Sequence, residues 1–305
     1  MKSVVALGCL ALSFTPARAQ VRERNWNLNI NVDGDAQGCA DLKVRSSGEI
    51  ARAAESFTLQ KSEAPTLEMT GSSAAQIQVR GWSRPEYSVE ACKIAVAEDR
   101  GQAERLLQGI QVNRAAGRFR VNGSSDGSSG RWQVYFIVHA PQDANLNLET
   151  TNGPISVREV NGRLNLNAVN GPVSIQNCAG TVDAQTTNGP ISFAGSGGEV
   201  HLNAHNGPIS VRVAGDNWNG SQLEARTVNG PLSVDVPNSF QSGIRLETSG
   251  RTPISCKLDA CRNARTDYTS DQRTIQLNGS ADTIRLSTEN GPVSLRSSGK
   301  SAPIM

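Results

Sequence analysis

Aromatic side chains are scarce in this chain: Phe, Trp and Tyr make up 4% of its 305 residues. Aromatics fill thick globular cores, so their scarcity points to a thin interior built from short aliphatics. Histidine occurs three times, and no Cys/His spacing resembles a zinc site. Neither sign of charge is in excess, with 30 Lys and Arg against 28 Asp and Glu. No basic stripe or aromatic–basic interleaving occurs, which argues against nucleic acid as a partner. After the first twenty residues no stretch approaches the roughly 20 apolar residues of a membrane helix. A Gly-x-Ser-x-Gly elbow, a phosphate-binding P-loop and the Gly-Gly-x-Gly-x-Asp signature of calcium β-rolls are all missing.

Residues 1–19 read as a signal peptide: Lys2, an apolar run from Val4 to Phe14, then Ala17-Arg18-Ala19 before Gln20. Its removal takes away Lys2 and Arg18 and no acid, so the formal charge of +2 falls to about zero. Export makes disulfides possible. Cys39, Cys92, Cys178, Cys256 and Cys261 lie beyond the leader. Cys39 with Cys92 is the expected bridge, because they are the only pair in the N-terminal region. Cys256 with Cys261 is the second candidate. Cys256 also suits a buried small hydrophobe, since its position is otherwise aliphatic. Cys178 is left over.

What the chain has in abundance is one tripeptide. Asn-Gly-Pro starts at Asn152, Asn170, Asn188, Asn206, Asn229 and Asn290, the first four spaced by 18 residues and the later gaps being 23 and 61. A degenerate copy, Ser249-Gly250-Arg251-Thr252-Pro253, lies in the long gap. Three residues after each Asn stands an aliphatic: Ile155, Val173, Ile191, Ile209, Leu232, Val293. Five after it stands another apolar residue: Val157, Ile175, Phe193, Val211, Val234, Leu295. A serine separates them every time, and Leu or Ala stands four before each Asn.

Each unit is therefore two short alternating runs, each a strand with one buried face. Asn-Gly is expected to supply a tight turn through positive φ, and Pro to open the next strand. A second corner carries Gly162, Gly180, Gly198, Gly220, Gly243 and Gly279. A period near 18 with the same roles at each step predicts a solenoid, an all-β parallel β-helix whose successive coils stack in sequence order. The boundaries are a β-rich cap over residues 20–141, β-helix repeats over 142–296 and a polar tail over 297–305. Arg296, Lys300 and Pro303 are placed to blunt the last exposed edge. Residues 257–274 read as a polar loop interrupting the repeats.

Within the cap, Trp26, Leu28, Ile30 and Val32 alternate with polar residues. Further strands are expected at 57–59, 66–69, 77–79, 87–96, 110–113, 119–121 and 132–138. Ala103, Leu106, Leu107 and Ile110 follow helical spacing, with Asp99 as the cap and Gly109 near the end. Residues 122–130 form a Gly- and Ser-rich hairpin loop.

This order resembles the bacterial putative-adhesin family related to the head domains called GIN. The segments that carry the likeness are Ala-Glu-Arg-Leu-Leu, Val-Tyr-Phe-Ile-Val-His-Ala-Pro and Leu-Asn-Leu-Glu-Thr-Thr-Asn-Gly-Pro-Ile-Ser-Val, within residues 100–296. The resemblance implies a parallel β-helix at the cell envelope and brings no catalytic motif. Pro stands here where that family often has Asp or Glu after Asn-Gly, so the turn row is less acidic.

The Asn column reads as a ladder of side-chain amides between coils, with sugar-hydroxyl binding as the alternative. The outward Ser row reads as a solvated face or as hydroxyls offered to a glycan. His201 and His205 are about 13 Å apart along a strand, too far to share a metal. A glycan-cleaving enzyme would need clustered carboxylates, and neither outward column stacks acids; Asp259 and Asp267 in the interrupting loop are the first alternatives. The resulting reading is an exported, non-enzymatic, adhesin-like protein without cofactor or metal. Its expected partner is a surface glycan or an envelope protein. The rivals are a carbohydrate-active enzyme and an envelope scaffold.

Overall fold

The computed structural model describes residues 26–32, 34–71, 75–123, 129–249, 252–279 and 283–298. The leader expected at 1–19 lies outside them. So do Gly250 and Arg251 of the degenerate repeat, residues 124–128 of the Gly/Ser loop, and Lys300 and Pro303 of the tail.

Among the described residues the chain is all-β with one α-helix. Its N-terminal part gives β1 (Leu28–Asn31), β2 (Lys43–Ser46), β3 (Glu49–Gln60), β4 (Thr66–Gly71), β5 (Ala75–Trp82), β6 (Glu86–Ala97), α1 (Arg100–Gln108), β7 (Gln111–Ala115), β8 (Arg118–Asn122) and β9 (Arg131–Pro141). The Asp99 side chain accepts from the Gln102 N–H and starts α1, while the Gly109 N–H closes it on Arg105 and Leu106. The repeats give β10 (Asn145–Asn152), β11 (Ile155–Arg158), β12 (Arg163–Asn170), β13 (Val173–Gln176), β14 (Thr181–Asn188), β15 (Ile191–Gly195), β16 (Gly197–Asn206), β17 (Ile209–Val213), β18 (Asn219–Asn229) and β19 (Leu232–Val236). Then come β20 (Ile244–Ser249), β21 (Ile254–Cys256), β22 (Arg265–Tyr268), β23 (Gln272–Leu277), β24 (Ile284–Asn290) and β25 (Val293–Ser297).

Two large mixed sheets hold nearly all of these strands. One runs β22-β23-β20-β24-β18-β16-β14-β12-β10-β4-β8-β7, the other β21-β25-β19-β17-β15-β13-β11-β5-β9-β6-β3. A rung is a pair of consecutive strands, one in each sheet, and in six of them the two are joined by Asn-Gly-Pro. Neighbouring rungs pair in parallel with each residue opposite its counterpart: Leu148 on Leu166, Leu166 on Ala184, Ile155 on Val173, Val173 on Ile191. Inward residues of both sheets share one buried cluster, with Leu148, Leu166, Ile155, Ile191 and Val234 fully enclosed. The gap of 23 residues arises from extra residues after β17. They place Trp218 against Phe193, with ring centroids 6.1 Å apart, and its indole N–H donates to the Gly198 carbonyl.

Rung order departs from sequence order at both ends. The β24–β25 rung lies between β18–β19 and β20–β21, which are consecutive in sequence. The β4–β5 rung likewise lies between β8–β9 and β10–β11. The expectation that coils stack in chain order is therefore corrected. A connection of a few residues can skip one rung step of about 4.8 Å, and a rung from elsewhere fills the place. As a consequence Arg296 is not at an edge. It lies inside the second sheet beside Asp235, its Nε 3.2 Å from Asp235 Oδ1. The edge strands are β22 and β7 in one sheet and β21 and β3 in the other. Nor is 257–274 only a loop: it folds as a short 3-10 turn and an antiparallel hairpin, β22 on β23.

Residues 26–32 and 34–46 form a small second layer. Trp26, Leu28, Ile30 and Leu42 pack on Cys92, Ile94, Tyr135 and Ile137 of β6 and β9. The layer is tied down by Gln78, buried at 6% exposure, which exchanges two hydrogen bonds with the Ala36 backbone and accepts from the Tyr135 hydroxyl. Among the described residues no helix is long and apolar enough to cross a membrane.

Candidate functional site

The Asn-Gly-Pro turns stack into a single row. Asn170 donates its side-chain N–H to Asn152 Oδ1, Asn188 to Asn170, Asn206 to Asn188, Asn229 to Asn206 and Asn290 to Asn229, at 2.9–3.0 Å. Each interior Asn thus spends one N–H and its carbonyl oxygen on its neighbours. Buried threonines brace the row from within: the hydroxyls of Thr186, Thr227 and Thr288 donate to the carbonyls of Gly171, Gly207 and Gly230.

The turn glycines are not there for positive φ, contrary to the sequence expectation; none of the six adopts it. A Cβ at Gly171, Gly189, Gly207 or Gly291 would stand 2.1–2.2 Å from the carbonyl oxygen of the turn below. Close approach of stacked backbones selects glycine here. Left-handed backbone occurs instead at the opposite corner: Glu159 at φ 59°, Asn177 at 52° and Asn278 at 58°, with Gly180, Gly198 and Gly279 nearby.

Beside this row, the outer face of the first sheet carries a shallow groove of about 380 Å³. Asn167, Gln185, Asn203 and Arg226 line it on one side and His205 and Val228 on the other. The first four are in-register partners on successive rungs. Arg226 also borders a second depression of about 400 Å³, lined by Glu247, Ser249, Gln272, Ser287 and Glu289, so the two run on from each other. Arg226 pairs with Glu289 across the junction. The other sheet has a smaller notch of about 190 Å³ at Ala194, between Gln176 and Arg212, floored by Ser192 and Ser210. The Ser row faces outward there, and the Ser233 hydroxyl meets that of Ser210 at 3.3 Å.

Pairing brings together residues that sequence reading left apart. Asp183, His201 and Glu224 occupy one column on adjacent rungs, and Glu199 stands beside His201. His201 Nε2 is 3.6 Å from Glu199 Oε1, and Nδ1 is 3.6 Å from Glu224 Oε2. Asp183, His201 and Glu224 each stand five residues before a turn Asn, so the repeat register carries the signal for this set. His205 lies separately in the groove. Asp259 pairs with Arg262 at 3.7 Å on the surface, and Asp267 is exposed on β22.

Cys39 and Cys92 form a disulfide with Cα atoms 5.5 Å apart, joining the second layer to β6. Cys256 and Cys261 form another at 5.9 Å. Cys178 is a free, buried thiol whose pKa burial pushes up to about 11, which makes it a poor nucleophile. Among the described residues one set of Cys, His, Asp and Glu atoms is close enough to share an ion: Cys39, Cys92 and Glu90. The disulfide removes both thiolates, and Glu90 accepts from the Cys39 N–H. His139 stacks on Trp82 at 5.2 Å; burial, then Arg80 and Arg84, lower its pKa.

No family model matches the chain and no curated protein does. Solved structures with some likeness include a putative cell adhesion protein from Clostridium sporogenes, 10% identical with a TM-score of 0.30, covering 81% of this chain and 100% of that one. A putative adhesin from Bacteroides fragilis is 11% identical with a TM-score of 0.36, covering 80% and 97%. A putative lipid binding protein from Parabacteroides distasonis is 10% identical with a TM-score of 0.29, covering 81% and 95%.

Proposed function

We propose that the chain is an exported, non-enzymatic, adhesin-like parallel β-helix that binds an extended glycan of the cell envelope or of a neighbouring surface. The observation that carries this is the groove running along the stacking direction, from Asn167 past Arg226 to Gln272. Its walls offer the amides of Asn167, Gln185, Asn203 and Gln272, the hydroxyls of Ser249 and Ser287, one imidazole, one guanidinium and the carboxylates of Glu247 and Glu289, set out along the stack at the rung step of about 4.8 Å. A linear polymer of hydroxyl-rich units whose repeat is of similar size meets a polar side chain at each step. Side-chain amides suit such ligands because each both donates and accepts in fixed directions, and Arg adds a fork of donors. The Asn turn row is the rigid rail beside the groove, since its amides are occupied by one another. Two disulfides suit an oxidising compartment, and with them an exported chain. Within this reading residues 20–141 form the cap and 142–296 the repeats.

The non-enzymatic part rests on the same geometry. Glu199 and Glu224 share His201 on an open outer face, where water competes for every bond. A hydrolytic site needs its acid and base held against substrate and away from bulk water.

The test is a glycan array with the purified chain, followed by titration of any hit at increasing polymer length. Affinity should rise with length until the groove is filled. Asn203→Ala with Arg226→Ala should lower it at least tenfold with the folded state intact. Binding untouched by that pair would refute the groove, and release of reducing ends or unsaturated products would refute the non-enzymatic reading.

A further inference from the structure

The β24–β25 rung fills a slot whose two walls, β18–β19 and β20–β21, follow each other in the chain. The second wall has attachments to the rest of the fold besides the insert. The connection from β19 to β20 has its own anchors on the preceding rung: the Gln241 N–H donates to the Asp216 carbonyl, and the Trp218 N–H donates to the Ser242 hydroxyl. Phe240, buried at 5% exposure, fixes the middle of that connection. Asn278, at the end of β23, donates to the Phe240 carbonyl and holds the hairpin against the same connection.

Residues 284–297 therefore act as an insert. Both edges of β24 pair in parallel, Leu286 facing Ala225 on one side and Leu246 on the other. Both edges of β25 do the same, Val293 between Leu232 and Ile254. Ile284, Leu286, Val293 and Leu295 point into the core and are at most 1% exposed. Asn290 adds the last step of the amide ladder and Arg296 pairs with Asp235. The bracketed rung at the other end, β4–β5, differs. It is tied on both sides to β3 and β6, long strands of the sheet itself. The described chain after β25 returns only through the Ser298 N–H to the Val236 carbonyl.

We propose that this slot is an acceptor for residues 284–297 of a second copy of the chain, so that molecules link by exchanging their β24–β25 rungs. Every contact made by the resident insert is available to the same residues arriving from another molecule, because the slot reads backbone pairing and four inward aliphatics. Exchange of an identical element is the low-cost route to linked copies. In one molecule the insert is favoured by its high effective concentration; at high local density on a surface the advantage shrinks. For a binder of extended polymers, linked copies would place several grooves on one strand. The slot itself does not depend on that binding.

The experiment uses the full chain and a fluorescent peptide of residues 283–298. Incorporation should be slow, set by departure of the resident insert. A peptide carrying Val293→Asp and Leu295→Asp should not enter. Arg226 and Ser287 face each other across β18 and β24, so an R226C/S287C variant locks the insert when oxidised. It should incorporate peptide at least tenfold more slowly than wild type. Hydrogen exchange on the wild type supplies a second readout: amides of 284–297 should open at least tenfold faster than those of β12 to β17. No incorporation into wild type near its unfolding transition would overturn the proposal, as would equal incorporation into the locked form. Equal protection of the insert and the central rungs would overturn it too.

Discussion

Gly189→Ala tests the reason for glycine in the turn row. The new Cβ would stand 2.2 Å from the Gly171 carbonyl oxygen and 2.7 Å from its carbon. Both are backbone atoms, so no side chain can swing away, and the turn must move by about 1 Å to reach ordinary contact. That displacement pulls on Asn188–Asn170 at 2.9 Å, Asn206–Asn188 at 3.0 Å and Thr186–Gly171 at 3.3 Å. Losing three hydrogen bonds at about 1 kcal/mol each gives ~3 kcal/mol. Overpacking adds ~1–3 kcal/mol, for a total of about 4–6 kcal/mol. Gly215→Ala is the control. Its φ of +85° strains alanine, but nothing lies within 4 Å of the new Cβ, so the cost should be only ~1–2 kcal/mol. Urea unfolding of both variants measures the difference from the shift of the midpoint at constant slope. If Gly215→Ala proves the more damaging, backbone conformation and not close approach selects the turn glycines, and the reasoning fails.

Three further outcomes are expected. Ile191→Asp puts a carboxylate in the enclosed core and should unfold the repeats, whereas Ser192→Asp, whose side chain is exposed, should cost under about 0.5 kcal/mol; equal losses by circular dichroism melting would contradict the register. Cys39→Ser with Cys92→Ser opens a loop with a sequence separation of 53 and should cost roughly 4 kcal/mol in the chain-entropy model, checked by the same urea titration. The Tyr87 hydroxyl is buried with no hydrogen-bond partner among the described residues, and burial pushes its pKa up to about 12, with Asp143 adding to the rise. The folded state therefore favours the neutral phenol, stability is complete below pH 10, and it is lost as pH rises from 10 toward 12. Tyr87→Phe should be neutral or stabilising by ~1 kcal/mol at pH 7 and should shrink that alkaline loss; a large destabilisation at pH 7 would show that the hydroxyl has a partner.

Much of the local structure can be read directly from the residues. Alternation around Ser156, Ser174 and Ser192 separates inward from outward positions, and the inward ones are enclosed. Asp99 and Gly109 bound the one helix at the places their chemistry favours. The role of the turn glycines was less legible, because glycine has two uses. Positive φ and missing Cβ leave the same letter in the sequence, and only the 2.1–2.2 Å between a would-be Cβ and the carbonyl oxygen of the turn below tells them apart. The hairpin β22–β23 was hidden for another reason. All four residues of β22 are exposed, so it carries no apolar alternation and reads as a loop.

The groove and the rung order share one cause of illegibility. A rung offers its neighbours a backbone ladder, an aliphatic column and an Asn, and all rungs offer nearly the same. Nothing in Leu286, Asn290 or Val293 says whether the neighbour is the rung before in sequence or one two steps away. Connection length decides. The few residues from Val236 to Ile244 reach across a skipped place, and the 61 residues from Asn229 to Asn290 hold one rung and one hairpin before the chain returns to fill it. Which outward side chains become neighbours follows from that order and not from the repeat. Ser287 comes to lie between Arg226 and Glu247, and Arg285 between Glu224 and Arg245. A surface that binds through several rungs at once is therefore set as much by the connections as by the residues it displays.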